Sequence, residues 1–315
     1  MTFKEDSIYR LKNIGLPAIR VLDDLSIITR LSPQTITRLY KNSKYYYKVY
    51  SVPKKIGGER TISQPSRELK AIQGWILRNI LDKLKSSPYS KGFERGESIY
   101  DNASPHIGAS YLLSLDLENF FPNIKASHVF NVFRSVGYNK EISYILTRLC
   151  VYDNGLPQGA PTSPKLANLV CSRLDARISG YAGPKGITYT RYADDISLSS
   201  KTAKKILKAK IVVEHIIKDE GLSINEKKTY LSGTYGRKKI TGLIVTDKSA
   251  GIGRKMQREV RSKIHHIFSG RSDNVEHVKG LLSYIHSVDN KAYRNLYRYI
   301  DRLKEKYPNT PFPSS

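Results

Sequence analysis

The hydrophobic positions of this chain switch between a period near 3.6 and a period of 2, and the switches divide it into helices and strands. Within a mostly helical stretch over residues 1–50, Leu22, Leu25, Ile28 and Leu31 recur at helical spacing, and Ser32-Pro33 has the residue types that open a further helix. Residues 46–52 alternate and predict a strand. The stretch Lys54-Lys55-Ile56-Gly57-Gly58-Glu59-Arg60 reads as a hairpin turn with a return strand at Thr61-Ile62-Ser63. Ser66 then starts an amphipathic helix running through Leu69, Ile72, Ile76, Ile80 and Leu84. A strand follows over 111–117, with Leu113, Leu115 and Leu117 on one face and Ser114 and Asp116 on the other. Helical pattern returns through Val129, Val132 and Phe133, and again from Pro164 to Ile178. Short strands at 187–192 and 196–198 flank Ala193-Asp194-Asp195. A helix over 206–217 and strands near 230–232 and 239–245 come next. From about Gly253 the pattern is helical, with Met256, Val260, Ile264 and Ile267 on one face and, in a second helix, Tyr293, Leu296, Ile300 and Leu303 on its buried stripe. Strands joined by hairpins rather than regular crossovers argue for an α+β fold.

Charge narrows the partners. Among 315 residues there are 53 Lys and Arg against 28 Asp and Glu, a formal charge of +25. An excess of that size repels itself and favours a polyanionic partner such as nucleic acid over a membrane surface. The 22 tyrosines suit stacking on bases and equally suit β-rich cores. No apolar run approaches the ~20 residues that span a bilayer. The acidic start at Glu5-Asp6 fits neither a signal nor a transit peptide. With only Cys150 and Cys171 there is no disulfide framework and no Cys-rich zinc site, which fits a reducing cytoplasm. The Pro/Ser/Thr-rich stretch from Pro308 to Ser315 predicts a disordered tail.

The chemistry centres on Tyr192-Ala193-Asp194-Asp195. Adjacent carboxylates at a tight turn repel each other and call for a neutralising cation. Taken alone, such a pair is more often an exposed turn capped by its own side chains. Asp116 changes the balance, because it lies on the polar face of a leucine-rich strand that can pair beside that hairpin. Three carboxylates without His or Cys favour Mg²⁺, or else Mn²⁺. Two such ions ~3.5–4 Å apart can drive an in-line displacement at phosphorus.

These segments resemble the ordered motifs of reverse transcriptases. Ser114-Leu115-Asp116-Leu117-Glu118-Asn119-Phe120-Phe121 is similar to motif A. Leu156-Pro157-Gln158-Gly159-Ala160-Pro161-Thr162-Ser163-Pro164 is similar to motif B, and Tyr192-Ala193-Asp194-Asp195 to motif C. Gly221-Leu222-Ser223-Ile224-Asn225-Glu226-Lys227-Lys228-Thr229 and Lys239-Ile240-Thr241-Gly242-Leu243 resemble motifs D and E. The resemblance implies a right-hand polymerase fold: an N-terminal helical region over 1–50, fingers over 51–110, a palm with an antiparallel sheet over 111–250 interleaved with fingers segments around 125–185, and a helical thumb over 251–315. It implies Asp116 and Asp194 as principal ligands of two Mg²⁺ ions, Asp195 as a supporting one, and the Leu117 carbonyl completing the second site. Phe121 matches the steric gate that rejects a ribose 2′-hydroxyl, with Phe120 as the core member of the pair. Gln158 and Gly159 are expected to pack a rigid turn against the incoming nucleotide, with Gly159 permitting close backbone approach. Lys228 matches a lysine that protonates pyrophosphate. Arg60, with Lys54 or Lys55 assisting, matches the clamp on the dNTP triphosphate.

Two further signatures resemble those of bacterial retron reverse transcriptases: Asn102-Ala103-Ser104-Pro105-His106 before motif A, and Ile240-Thr241-Gly242, in which Ile stands where the family pattern has Val. The subgroup implies a cognate structured non-coding RNA of msr–msd type as both template and primer. Synthesis is then expected to begin from the 2′-hydroxyl of an internal guanosine and to yield branched msDNA, an RNA–DNA molecule. It also implies an anti-phage defence setting with an accompanying effector protein. Asn102, His106, Thr241 and Gly242 are expected to contact RNA, or in the case of His106 to hydrogen-bond structurally. Arg254, Arg258 and Arg261 are expected on a duplex-tracking thumb face, since the segment from Arg254 to Arg271 carries six basic residues against one acidic. No ribonuclease H, maturase or endonuclease segment is legible, so removal of copied RNA is expected to need a host ribonuclease H. The competing readings are an intron-type or diversity-generating reverse transcriptase, an RNA-dependent RNA polymerase, and a non-enzymatic RNA-binding scaffold with a polymerase fold.

Overall fold

The computed structural model describes residues 9–54 and 57–308. The expectations for residues 1–6, for Lys55 and for residues 309–315 of the tail lie outside the described residues.

Near the N-terminus, α1 (Leu22–Thr29) and α2 (Pro33–Lys41) form as the spacing predicts. The Ser32 hydroxyl accepts from the Thr35 amide, and Pro33 supplies a first-turn residue that has no amide to leave unsatisfied. Strands β1 (Tyr47–Pro53) and β2 (Glu59–Pro65) make an antiparallel hairpin in which Val52 faces Arg60. Helix α3 (Arg67–Asn79) starts at Ser66 but ends before its expected limit. The apolar stripe continues through a 3₁₀ turn, Leu81–Lys83, so Ile80 and Leu81 are buried outside the helix.

A short helix α4 (Ile99–Ala103) leads into β3 (Tyr111–Asp116), and α5 (Phe120–Asn123) follows it. Helix α6 (Ala126–Val136) is as expected. Helix α7 (Lys140–Cys150) was not expected, although Asn139 caps it and Ile142, Ile145, Leu146 and Leu149 form its buried stripe. The single helix predicted from Pro164 to Ile178 is two, α8 (Ser163–Val170) and α9 (Ser172–Ala182), meeting at Cys171. Strands β4 (Thr188–Tyr192) and β5 (Asp195–Ser200) form a hairpin, α10 (Ala203–Asp219) packs behind it, and β6 (Tyr230–Ser232) completes a four-stranded antiparallel sheet in the order β4-β5-β3-β6.

Strands β7 (Lys238–Ile240), β8 (Leu243–Val245) and β9 (Ala250–Gly251) make a separate small sheet. The C-terminal region holds three described helices rather than two: α11 (Gly253–Phe268), α12 (Val275–Val288) and α13 (Asn290–Lys306).

Burial gathers these elements around two cores. The larger joins Leu113, Leu115 and Leu117 to helices α1–α3 and α5–α10 and includes Phe120. The smaller joins Ile240, Leu243 and Val245 to the stripes Val260-Ile264-Ile267 and Leu296-Ile300-Leu303, and it reaches the main sheet at Leu112. Strand β3 therefore serves both cores through its alternating faces. No described helix is long and apolar enough to cross a membrane.

Candidate active site

Sheet register builds the acidic centre. Asp116 pairs directly across from Asp195 on β5, and Tyr192 pairs with Asp195, which leaves Ala193-Asp194 as a two-residue connection. Ala193 sits at φ 58°, the positive-φ conformation that such tight hairpins need. The Asp194 carbonyl accepts from the Leu117 amide at 2.9 Å, so the turn is tied to the residue after Asp116. The Asp116 carbonyl accepts from the Asn225 amide at 2.8 Å, and the Glu118 amide donates to the Ser223 carbonyl at 2.8 Å. The segment 223–228 is thereby laid along β3, and it delivers Lys228. The Lys228 ammonium donates to both Asp116 oxygens, at 2.9 and 3.0 Å.

Electrostatics follow from this crowding. Burial, then the Asp194 and Asp116 charges, push the Asp195 carboxyl up to about 6. Burial and Asp116 also raise Asp194, against the opposing charges of Lys228 and Arg60. Hydrogen bonding to Asp116 raises Lys228 and keeps it an ammonium. The donors are hard oxygens whose mutual repulsion a divalent cation relieves, so their chemistry fits Mg²⁺ or Mn²⁺. Among the described residues, no three His, Cys, Asp or Glu side chains stand close enough to hold an ion as they are. Lys228 supplies the counter-charge at Asp116 instead.

The walls come from separate segments. Phe121 is half-buried, with its ring 5.4 Å from Phe120 and 6.2 Å from Phe93. Phe120 is the core member, 4 % exposed. The Gln158 carbonyl accepts from the Ser63 amide at 2.9 Å, which ties the motif-B turn to the β1–β2 hairpin. Gly159 lies at φ 132°, where an added Cβ would sit 3.0 Å from the Ser63 carbonyl oxygen. Its close approach is thus to the hairpin that carries Arg60. Arg60 and Lys54 are exposed on that hairpin, and the Arg60 charge reaches Asp194.

The expected RNA contacts divide. Asn102 and His106 are 0 and 1 % exposed, so direct RNA contact is corrected to a structural role. The two His106 ring nitrogens bond Ser199 and Thr190 on β5 and β4 at 2.7 and 2.8 Å, and burial lowers its pKa to about 4, keeping the ring neutral. Asn102 donates to the Thr241 hydroxyl at 3.4 Å, which joins the two signature segments. Thr241 and Gly242 form the two-residue β7–β8 turn at φ 44° and 91°, with Gly242 exposed. Arg254, Arg258 and Arg261 are exposed on α11, and the Arg261 guanidinium lies 4.1 Å over the Tyr299 ring.

Sequence reasoning missed the support beneath the hairpin. Arg191 is wholly buried and makes a two-pronged ion pair with Asp175 of α9, at 2.7 Å on each side. A charged pair inside apolar segments was visible in the sequence, but only the fold shows that the two meet.

An antiparallel sheet that sets a strand carboxylate against a two-aspartate hairpin, walled by an aromatic residue and a glycine turn, is the palm of a nucleotidyl-transferring polymerase. The family described as reverse transcriptase (RNA-dependent DNA polymerase) matches residues 52–246. The retron Ec86 reverse transcriptase of Escherichia coli is 55 % identical over 306 residues, covering 96 % of this chain and 95 % of that protein. The retron Mx65 reverse transcriptase of Myxococcus xanthus is 31 % identical over 315 residues, covering 92 % and 73 %. A solved telomerase from Candida albicans, in complex with a TWJ fragment of telomeric RNA, aligns with a TM-score of 0.50 at 12 % identity, over 84 % of this chain and 59 % of that one. That likeness shows the fold alone, a right-hand polymerase. The chain belongs to the reverse transcriptase family and, within it, to the retron reverse transcriptases. It is an RNA-directed DNA polymerase.

Proposed function

We propose that this polymerase copies part of a cognate structured non-coding RNA of msr–msd type. Synthesis starts from the 2′-hydroxyl of an internal guanosine and leaves branched msDNA. The setting is a cytoplasmic anti-phage module with an accompanying effector, and host ribonuclease H trims the copied RNA. The observation that carries the catalytic reading is the cross-strand pair Asp116 and Asp195 beside the Asp194 turn.

Asp116, Asp194, Asp195 and the Leu117 carbonyl would hold two Mg²⁺ ions, or Mn²⁺ in their place. When bound, these supply charge neutralisation at the attacking hydroxyl and the triphosphate. Arg60, with Lys54 beside it, holds the triphosphate through charge-assisted hydrogen bonds. The Phe121 ring excludes a ribose 2′-hydroxyl by contact. The Gln158-Gly159 turn backs the nascent pair. Lys228 leaves Asp116 as the site fills and gives its proton to the departing pyrophosphate, a role that its ammonium state suits. RNA is held by phosphate contacts from Arg254, Arg258 and Arg261 and by the exposed Gly242 turn, reading stem-loop shape.

The test is Asp194→Asn. Nucleotide incorporation on the co-purifying RNA should be lost while RNA binding, followed by filter retention, stays within about twofold of wild type. Full incorporation in the variant removes the catalytic reading. An RNA–DNA molecule without a 2′–5′ branch, recovered with the wild-type protein, removes the priming reading.

A further inference from the structure

The acidic hairpin is tied to the strand beside it by the Leu117 amide at the Asp194 carbonyl, and a second tie holds it from beneath. Its tip has no apolar side chain longer than Ala193, and Ala193 holds a conformation that a residue with a Cβ adopts reluctantly. Beneath it, Arg191 is enclosed on every side. Its Nε and Nη2 donate to the two Asp175 oxygens at 2.7 Å each. Its Nη1 donates to the Ala193 carbonyl at 3.0 Å and to Asn168 Oδ1 at 3.2 Å. One rigid guanidinium thus spans from helix α9 to the peptide that precedes Asp194. Arginine can do this because its planar fork satisfies a carboxylate on one edge and leaves the other edge free for a further acceptor.

The same contact reaches a second segment. Asn168 donates to the Gly92 carbonyl at 2.7 Å and to Glu94 at 2.8 Å. The Lys91 amide donates to the Arg191 carbonyl at 2.7 Å, and the Arg191 amide to the Tyr89 carbonyl at 2.8 Å. A Cβ on Gly92 would stand 2.7 Å from the Ala193 nitrogen. The strip of residues 89–94 therefore lies directly against the hairpin, and Arg191 and Asn168 pin both to the helices behind.

We propose that Arg191, braced by Asp175 and Asn168, is the positioning residue of this polymerase: it holds the Ala193 carbonyl, so that Asp194 is presented at the height the reaction needs. The inference rests on the reading of Asp194 as a metal-binding catalytic residue. A buried ion pair is weak support for stability, since an apolar pair of like volume often replaces it without loss. The distinctive contact is the one to Ala193.

Three variants separate positioning from mere folding. Arg191→Met with Asp175→Leu removes the pair without leaving a lone charge. Tyr189→Phe removes a different arm of the same cluster, the 2.6 Å hydrogen bond from the Tyr189 hydroxyl to Asp175, and leaves Ala193 held. Arg191→Lys keeps a buried positive charge that cannot reach Asp175 and the Ala193 carbonyl together. Each is measured by thermal unfolding, by single-nucleotide incorporation on a DNA-primed RNA template, and by Mn²⁺ titration followed by electron paramagnetic resonance in the absence of nucleotide.

The double variant should fold, show kcat lowered by about 10- to 100-fold, the scale of an ångström misplacement, and bind Mn²⁺ more weakly, while primer-template affinity is unchanged. Tyr189→Phe should lower the melting temperature and keep wild-type kcat. If the double variant does not fold, Arg191→Lys is decisive by the same measures. Wild-type kcat and Mn²⁺ affinity in the folded double variant, or in Arg191→Lys, overturn the proposal. So does a Tyr189→Phe enzyme as slow as the Arg191 variants. Asp194→Asn run alongside distinguishes the two levels: if it stays active, the catalytic reading has failed, and if it is inactive while the Arg191 variants are normal, only the positioning role has.

Discussion

Asp195→Asn gives the sharpest test of the acidic centre, because it reads the site without turnover. In the folded protein without metal, burial and the neighbouring Asp194 and Asp116 charges raise this carboxyl from 3.8 to about 6. At 1.36 kcal/mol for each factor of ten, that rise corresponds to about 3 kcal/mol. The sign follows from proton linkage. Below about pH 4 the group is protonated folded and unfolded alike, and the site carries no charge penalty. Between about 4 and 6 the folded state holds the proton more tightly, so stability falls as pH rises through that window, and above it the loss is complete. Asparagine never ionises. The variant should therefore match wild type near pH 4 and exceed it by up to about 3 kcal/mol at pH 7. Urea unfolding of both proteins in EDTA, at half-unit steps from pH 4 to 8, measures the difference. Glu94 and Asp101, whose carboxyls are lowered by their hydrogen bonds, titrate in the opposite sense but are common to both proteins and cancel. Millimolar Mg²⁺ should narrow the gap at pH 7 by stabilising wild type, with all three carboxylates, more than the variant, which keeps Asp116 and Asp194. A difference that stays flat with pH, or in which the variant loses stability above pH 6, refutes the crowded-carboxylate account.

Two more expectations concern the walls. Gly159→Ala places a Cβ 3.0 Å from the Ser63 carbonyl at φ 132°; about 1–3 kcal/mol of backbone strain should lower kcat/KM for dNTPs about 10- to 100-fold in single-nucleotide incorporation, and unchanged kcat/KM removes the role given to that turn. Phe121→Val should let ribonucleotides in, raising rNTP over dNTP incorporation by at least about tenfold at a stability cost of about 1 kcal/mol; unaltered sugar choice counts against the gate.

The parts of this molecule that were legible in the sequence are those whose geometry is local. The faces of β3 followed from alternation, and the acidic turn followed from two short strands with three residues between them. Helix α7 carries the same kind of signal, an Asn cap and an apolar stripe, in a segment that holds none of the motif residues. Helix α12 lost its identity between two strongly basic helices. The split at Cys171 leaves no mark in an apolar pattern that runs on across it.

The RNA contact expected of Asn102, and offered for His106 beside a structural hydrogen-bonding role, fails for a different physical reason. Both are polar and both lie in a segment without periodicity, which lets Asn102 read naturally as a surface group for RNA and leaves His106 open to either role. Their side chains instead satisfy one another's surroundings: His106 spans Thr190 and Ser199 on neighbouring strands, and Asn102 reaches Thr241 more than a hundred residues away. Burying a polar side chain is tolerable only where a partner waits, and no local pattern reveals a partner so distant in sequence. The consequence reaches function. Asn102 joins the two signature segments and so bears on how the β7–β8 turn docks on the palm, and on the RNA contacts proposed for the exposed Gly242 turn, without being exposed itself.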